Sequence, residues 1–120
     1  MQVKELFDLT GEKAIVTGAA RGLGEQMALA LAEAGADVAV VDINIEEAER
    51  VAESIRNLAR DSIFIKVDVT RINDVENMVK ITKERFGKID ILVNSAGIVN
   101  NIPAEELKTV SYTHLTLPTN

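Results

Sequence analysis

Thr17-Gly18-Ala19-Ala20-Arg21-Gly22-Leu23-Gly24 places three glycines between a short apolar run, Ala14-Ile15-Val16, and a stretch rich in Ala and Leu. The order reads as a strand, a glycine turn and the start of a helix. At a helix start the first backbone N–H groups lack intrahelical partners, and the helix dipole favours negative charge there. Glycine removes the Cβ that would hold a ligand off that backbone. Such a turn suits a pyrophosphate. Gly18 permits the sharp exit from the strand, Gly22 lets amides approach the phosphates, and Gly24 lets the helix pack closely on the sheet. Leu23, between the last two glycines, is counted with the binding residues of the turn. Thr17 is expected to order the turn through its hydroxyl. From this segment alone, a tight strand-to-helix turn without a ligand is the competing reading.

Two further strand ends carry polar groups. Asp42 closes the apolar run Val38-Ala39-Val40-Val41. It follows Gly24 at close to the interval of about 20 residues at which a carboxylate meets the ribose in dinucleotide folds. Asp68-Val69 follows a third apolar run, and Asn94-Ser95-Ala96-Gly97 follows a fourth, Ile91-Leu92-Val93. No metal site is assigned.

In combination these motifs resemble the short-chain dehydrogenase/reductase family, in its larger classical branch. The family carries T-G-x-x-x-G-x-G early and N-N-A-G after its fourth strand; this chain has Ser95 at the second Asn. The resemblance covers roughly residues 5 to 109. It implies a nicotinamide cofactor, with Gly18, Arg21, Gly22, Leu23, Gly24, Asp42, Asp68, Val69, Asn94, Ala96 and Gly97 around it. Asp42 would accept bonds from the adenosine ribose hydroxyls, which favours NAD and makes NADP the weaker expectation. Arg21 is open to two readings: a contact to the extra phosphate of NADP, as in some relatives, or a solvated turn residue. Asp68 would meet the adenine amino group or else serve as a loop or capping carboxylate, and Val69 would touch the ring. Asn94 would lie near the nicotinamide-side ribose, and Gly97 would leave room for the cofactor.

The implied reaction is hydride transfer between nicotinamide and a secondary alcohol or ketone. The opening Leu6-Phe7-Asp8-Leu9-Thr10-Gly11 resembles sugar-acid dehydrogenases of the gluconate 5-dehydrogenase kind. Within the family, 3-oxoacyl-carrier-protein reductases are the alternative. A dinucleotide-binding sensor without catalysis is the alternative of another class. The family also implies a homo-oligomer for the full-length form. Its catalytic Ser and its Tyr-x-x-x-Lys pair find no match: Thr116 stands four residues after the single tyrosine, Tyr112. No catalytic residue is therefore assigned, Tyr112 and His114 included, and the 120-residue chain is expected to be an inactive cofactor-binding piece.

The elements that would position these residues alternate along the chain. Strands are expected near 13–17, 37–41, 62–67 and 89–94, each short and almost continuously apolar, as for parallel strands covered on both faces. A first helix over about 22–33 should bury Leu23, Met27, Ala30, Leu31 and Ala34. A second carries Ala48, Val51, Ala52, Ile55 and Leu58 at helical spacing, with Asn44 and Glu47 as a capping pair. A third carries Val75, Met78, Val79, Thr82 and Phe86, with Asn73 and Glu76 at its start and Gly87 past its end. The fold class is α/β: half of a doubly wound parallel sheet, β-α-β-α-β-α-β, in strand order 3-2-1-4. Pro103 could open a fourth helix. Residues 1–110 are read as the NAD(P)-binding domain. Residues 111–120 lose all helical period and are expected to be non-native or unpacked, with a natural C-terminal strand as the alternative.

Composition narrows the partners. The chain holds 13 Lys and Arg against 19 Asp and Glu, for a net charge of −6. With no basic run, nucleic acid is disfavoured as a partner. No apolar stretch approaches the 18 or so residues of a membrane span, and the first residues lack a signal-peptide core. Cysteine is absent, so disulfides are excluded. A cytoplasmic protein acting on a small molecule is expected.

Overall fold

The computed structural model describes residues 7–96. They form β1 (Lys13–Thr17), α1 (Gly22–Glu33), β2 (Asp37–Asp42), α2 (Ile45–Arg56), β3 (Ser62–Lys66), α3 (Ile72–Phe86) and β4 (Ile91–Asn94). The strands make one parallel sheet in the order β3-β2-β1-β4, as expected. Val16 lies opposite Val40 of β2 and Val93 of β4, which fixes the register around the central strand. Gly97, the expected helix start at Pro103, Tyr112, His114 and the segment 111–120 lie outside the described residues.

Side chains of a strand alternate between faces, so each strand feeds two cores. On one face Ala14, Val16, Val38 and Val40 pack with Ala28 and Ala32 of α1 and with Val51 and Ile55 of α2. On the other, Ile15, Ala39, Val41 and Ile65 pack with Val75 and Met78 of α3. Both faces of the sheet are thus covered, which is why the strands read as unbroken apolar runs.

Three expectations need correction: the buried face of α1, the place of Leu58 and the start of β4. α1 fully buries Gly24, Ala28 and Ala32; Leu31 packs half-buried against the core, Met27 and Ala34 are half-buried, and Ala30 and Leu23 are exposed, Leu23 at 71%. The helix is apolar on most sides, so its sequence has little contrast. The face with no bulk wins because it allows the helix to lie close to the sheet. Leu58 falls beyond α2 and is exposed. α3 needs none: Arg71 is its N-cap, Asn73 and Glu76 lie in its first turns, and Val79 and Phe86 pack half-buried against the core, with the Lys13 ammonium over the Phe86 ring. β4 begins at Ile91 rather than 89. Other local signals hold: Asn44 caps α2 by accepting from Glu47 N–H at 3.2 Å, and Gly87 ends α3 at a φ of +86°.

At the amino ends of the strands a carboxylate network ties the sheet together. Asp37 accepts from Lys13 Nζ at 2.5 Å and from Asp61 N–H at 2.8 Å. Asp90 accepts from Lys13 N–H at 2.9 Å and pairs with Lys88 at 3.0 Å. Partial burial raises the pKa of Asp37 and of Asp90, but these bonds outweigh it and leave both lowered. Such groups stabilise the fold above the unfolded aspartate value of about 3.9, and the contribution is lost as pH falls through the folded values. The urea midpoint is therefore expected to hold steady from about pH 7 to 5 and to fall below about pH 4. Asp37→Asn should make that fall shallower; an acid limb identical to the parent's would rule Asp37 out as a cause.

Candidate functional site

The glycine turn is pinned to β2 at successive residues. Gly18 leaves β1 at a φ of +64°, in the left-handed region. Ala19 N–H then donates to Val41 carbonyl at 3.1 Å, and Ala20 N–H donates to Asp42 Oδ2 at 3.0 Å. The other Asp42 oxygen, Oδ1, accepts from Asn44 N–H at 2.9 Å. One carboxylate thus holds the approaches to both α1 and α2. α1 itself has Arg21 as its N-cap residue with no side-chain cap, so its first amides are left for another acceptor.

Two glycines of the turn are required by contact. A Cβ on Gly18 would lie 2.6 Å from Ser95 carbonyl oxygen and 2.7 Å from Ala96 Cα. A Cβ on Gly24 would collide with Gly18 carbonyl oxygen and lie 2.5 Å from Ser95 Oγ. Gly22 differs: at a φ of +62° a Cβ there would meet nothing within 4 Å. Space is open in front of that backbone. Across the strands, Ser95 donates to Thr17 carbonyl oxygen through Oγ at 2.7 Å and through N–H at 3.2 Å. Thr17 is buried and donates its hydroxyl to Asn94 Oδ1 at 2.8 Å. Thr17 therefore ties β1 to β4 and does not order the turn, because its side chain points along the sheet rather than into the loop.

A cavity of about 510 Å³ opens at the carboxyl ends of the strands. In a doubly wound sheet this is the end where ligands bind. Of the expected residues, Gly18, Arg21, Asp42, Asp68, Val69 and Ala96 line it. Gly22, Leu23, Gly24 and Asn94 do not. Asp68 carries out the loop role: its Oδ1 accepts from Thr70 N–H at 2.9 Å and from Thr70 Oγ1 at 2.6 Å. Those two bonds hold its carboxyl below the usual carboxylate range. Arg21 is exposed on the cavity rim with no ion pair among the described residues.

Five lining residues lie outside the expected cofactor-binding set: Val41, Ile43, Val67, Thr70 and Ser95. Ile43 is 61% exposed although it is large and apolar. Its signal was its place directly after Asp42, where the strand has ended and an apolar side chain has no core to enter. Thr70 also lines the cavity, and Asp68-Val69-Thr70 has the spacing of a side-chain-closed turn.

Comparison with known proteins agrees with this geometry. A family model described as short chain dehydrogenase matches residues 12–120. The chain is 43% identical over 101 residues to D-threitol dehydrogenase of Mycolicibacterium smegmatis, covering 84% of this chain and 39% of the relative. It is 39% identical over 100 residues to 2-dehydro-3-deoxy-D-gluconate 5-dehydrogenase of Dickeya dadantii, covering 83% and 39%. Among solved structures, 7α-hydroxysteroid dehydrogenase complexed with NADH and 7-oxo glycochenodeoxycholic acid superposes with a TM-score of 0.81 at 31% identity, over 97% of this chain and 49% of that one. The chain spans about two fifths of the length of the curated relatives it matches.

Proposed function

The chain belongs to the short-chain dehydrogenase family, and on that premise we propose that the cavity at the strand ends receives the adenosine and pyrophosphate of a nicotinamide dinucleotide. The observation that carries this reading is the pairing of Asp42 on the cavity wall with an uncapped helix start beside it. The open space before Gly22 fits the group, since a Cβ there would project into room that the fold leaves unfilled. The amides of Arg21 on the cavity wall and of Gly22 and Leu23 at the adjoining uncapped helix start would hold the pyrophosphate, Asp42 the adenosine ribose, and Ile43 with Val69 the faces of the adenine. Asp68 keeps acceptor capacity for the adenine amino group beyond its bonds to Thr70. When bound, the nicotinamide supplies hydride transfer to or from a secondary alcohol or ketone carbon. Asn94, braced by Thr17, would lie on the nicotinamide side.

NAD is the favoured cofactor in this reading, because Asp42 would face the 2′-phosphate of NADP. A polyol or sugar acid is the favoured substrate class, supported by the two dehydrogenase relatives named above. In this reading residues 1–110 are taken as the cofactor-binding domain, of which residues 7–96 are described. No residue of the chain matches the family's Tyr-x-x-x-Lys pair, so binding without turnover is expected. Calorimetric titration of the chain should show NAD bound more tightly than NADP and no NADH formed from polyols. Gly22→Ala should weaken both dinucleotides by about tenfold, equivalent to ~1.4 kcal/mol, through its left-handed strain and its added methyl. A parent chain that binds neither dinucleotide would sink the proposal.

A further inference from the structure

Arg50 stands on α2, outside the cavity, and its planar guanidinium gathers three partners. Nη1 and Nη2 donate to the two carboxylate oxygens of Glu25 on α1, each at 3.2 Å. Nε donates to Glu47 Oε2 at 3.0 Å. Nη2 also donates to Ala20 carbonyl oxygen at 3.1 Å. Ala20 is therefore gripped at both ends, by Asp42 at its N–H and by Arg50 at its carbonyl.

The second grip bears on the turn's free amides. Ala20 carbonyl and Arg21 N–H belong to one trans peptide plane and point opposite ways. Holding that carbonyl toward α2 directs the Arg21 N–H away from α2. Arg21 borders the cavity and Arg50 does not. An ordinary surface pair explains little of this: the Arg50 side chain is 49% exposed, and such pairs contribute little alone. The two glutamates instead fix the fork so that the second N–H of Nη2 meets the carbonyl.

We propose that Arg50 is a positioning residue for the pyrophosphate, setting the orientation of the glycine-turn amides from behind. This rests on the dinucleotide reading above. It separates two parts of one ligand: the pyrophosphate depends on the turn, whereas adenosine depends on Asp42, Ile43 and Val69.

The test is equilibrium binding of ADP and of adenosine to the parent chain, Arg50→Ala and Arg50→Lys, with circular dichroism of each. Arg50→Ala should bind ADP about tenfold more weakly, as for loss of one charge-assisted bond, and adenosine within about twofold of the parent. Arg50→Lys keeps the charge but not the fork, so its ADP affinity should fall between the two. If Arg50→Ala does not fold, the lysine variant decides: a loss confined to ADP supports the proposal. ADP affinity equal to the parent's, or equal losses for ADP and adenosine, would overturn it. A parent that binds neither ligand would instead remove the dinucleotide reading itself.

Discussion

Gly24→Ala is expected to cost about 3 kcal/mol of folding stability, the upper part of the range for overpacking. In an open helix the same change would gain up to about 1 kcal/mol, because alanine is the better helix former. Contact reverses the sign. The new methyl would collide with Gly18 carbonyl oxygen and lie 2.7 Å from Gly18 carbonyl carbon. These are backbone atoms of a residue that itself has no slack, since Gly18 abuts Ser95 and Ala96. Ser95 Oγ could turn aside only by giving up its bond to Thr17. Gly87→Ala is the control: it sits at a φ of +86° with nothing within 4 Å of its Cβ. There the left-handed backbone alone should cost about 1–2 kcal/mol. Urea unfolding of both variants separates clash from strain. A Gly24→Ala midpoint no lower than that of Gly87→Ala would mean that the helix can move off the turn.

The contrast between these glycines shows what the sequence carries. Strand positions were legible because covered parallel strands need unbroken apolar runs, and Val38–Val41 or Ile91–Val93 can be little else. Strand order followed from the handedness of strand-helix-strand crossovers. The phase of α1 was not legible. Leu23, Met27 and Leu31 carry the hydrophobic bulk, yet the buried line is Gly24, Ala28 and Ala32. Hydrophobic periodicity measures bulk, whereas close helix–sheet approach selects for its absence. The glycine spacing held the right answer, since Gly24 reserved that face for packing.

At the site, the residue types were legible and the bonds among them were not. Asp42 was read as a group for a ligand, and it lines the cavity, but it also accepts Ala20 and Asn44 N–H. Arg50 gave no signal, because an arginine among glutamates on a polar helix face reads as a solvated surface. Its reach to Ala20 depends on how α2 lies against α1, which is a tertiary fact. Sequence alone places Thr17 in the turn, whereas its bond to Asn94 depends on β1 and β4 being neighbours.

Asp42→Ala is expected to shift the ratio of NAD to NADP affinity by at least about tenfold toward NADP. A 2′-phosphate near the Asp42 carboxylate places like charges together, at up to about 4 kcal/mol for unit charges 4 Å apart at an effective dielectric of 20. Solvent lowers that figure, and ~1.4 kcal/mol is already tenfold. The variant also releases Ala20 N–H and Asn44 N–H, so absolute affinity for NAD should fall by more than the ribose bonds alone account for. The ratio remains informative, because a loosened turn weakens both dinucleotides alike while only NADP carries the extra phosphate. Arg21 is placed to use the change. It lies on the same cavity as Asp42 and holds no ion pair among the described residues. Guanidinium–phosphate bonds are charge-assisted and can be bidentate. Arg21→Ala added to Asp42→Ala should therefore remove most of the gain in NADP affinity while leaving NAD affinity near that of the single variant. Fluorescence titration with NADH and NADPH on the parent, the single and the double variant reads all these terms. An unchanged ratio in Asp42→Ala would take the carboxylate away from the ribose, and a double variant that keeps the gain would assign the phosphate to a group other than Arg21.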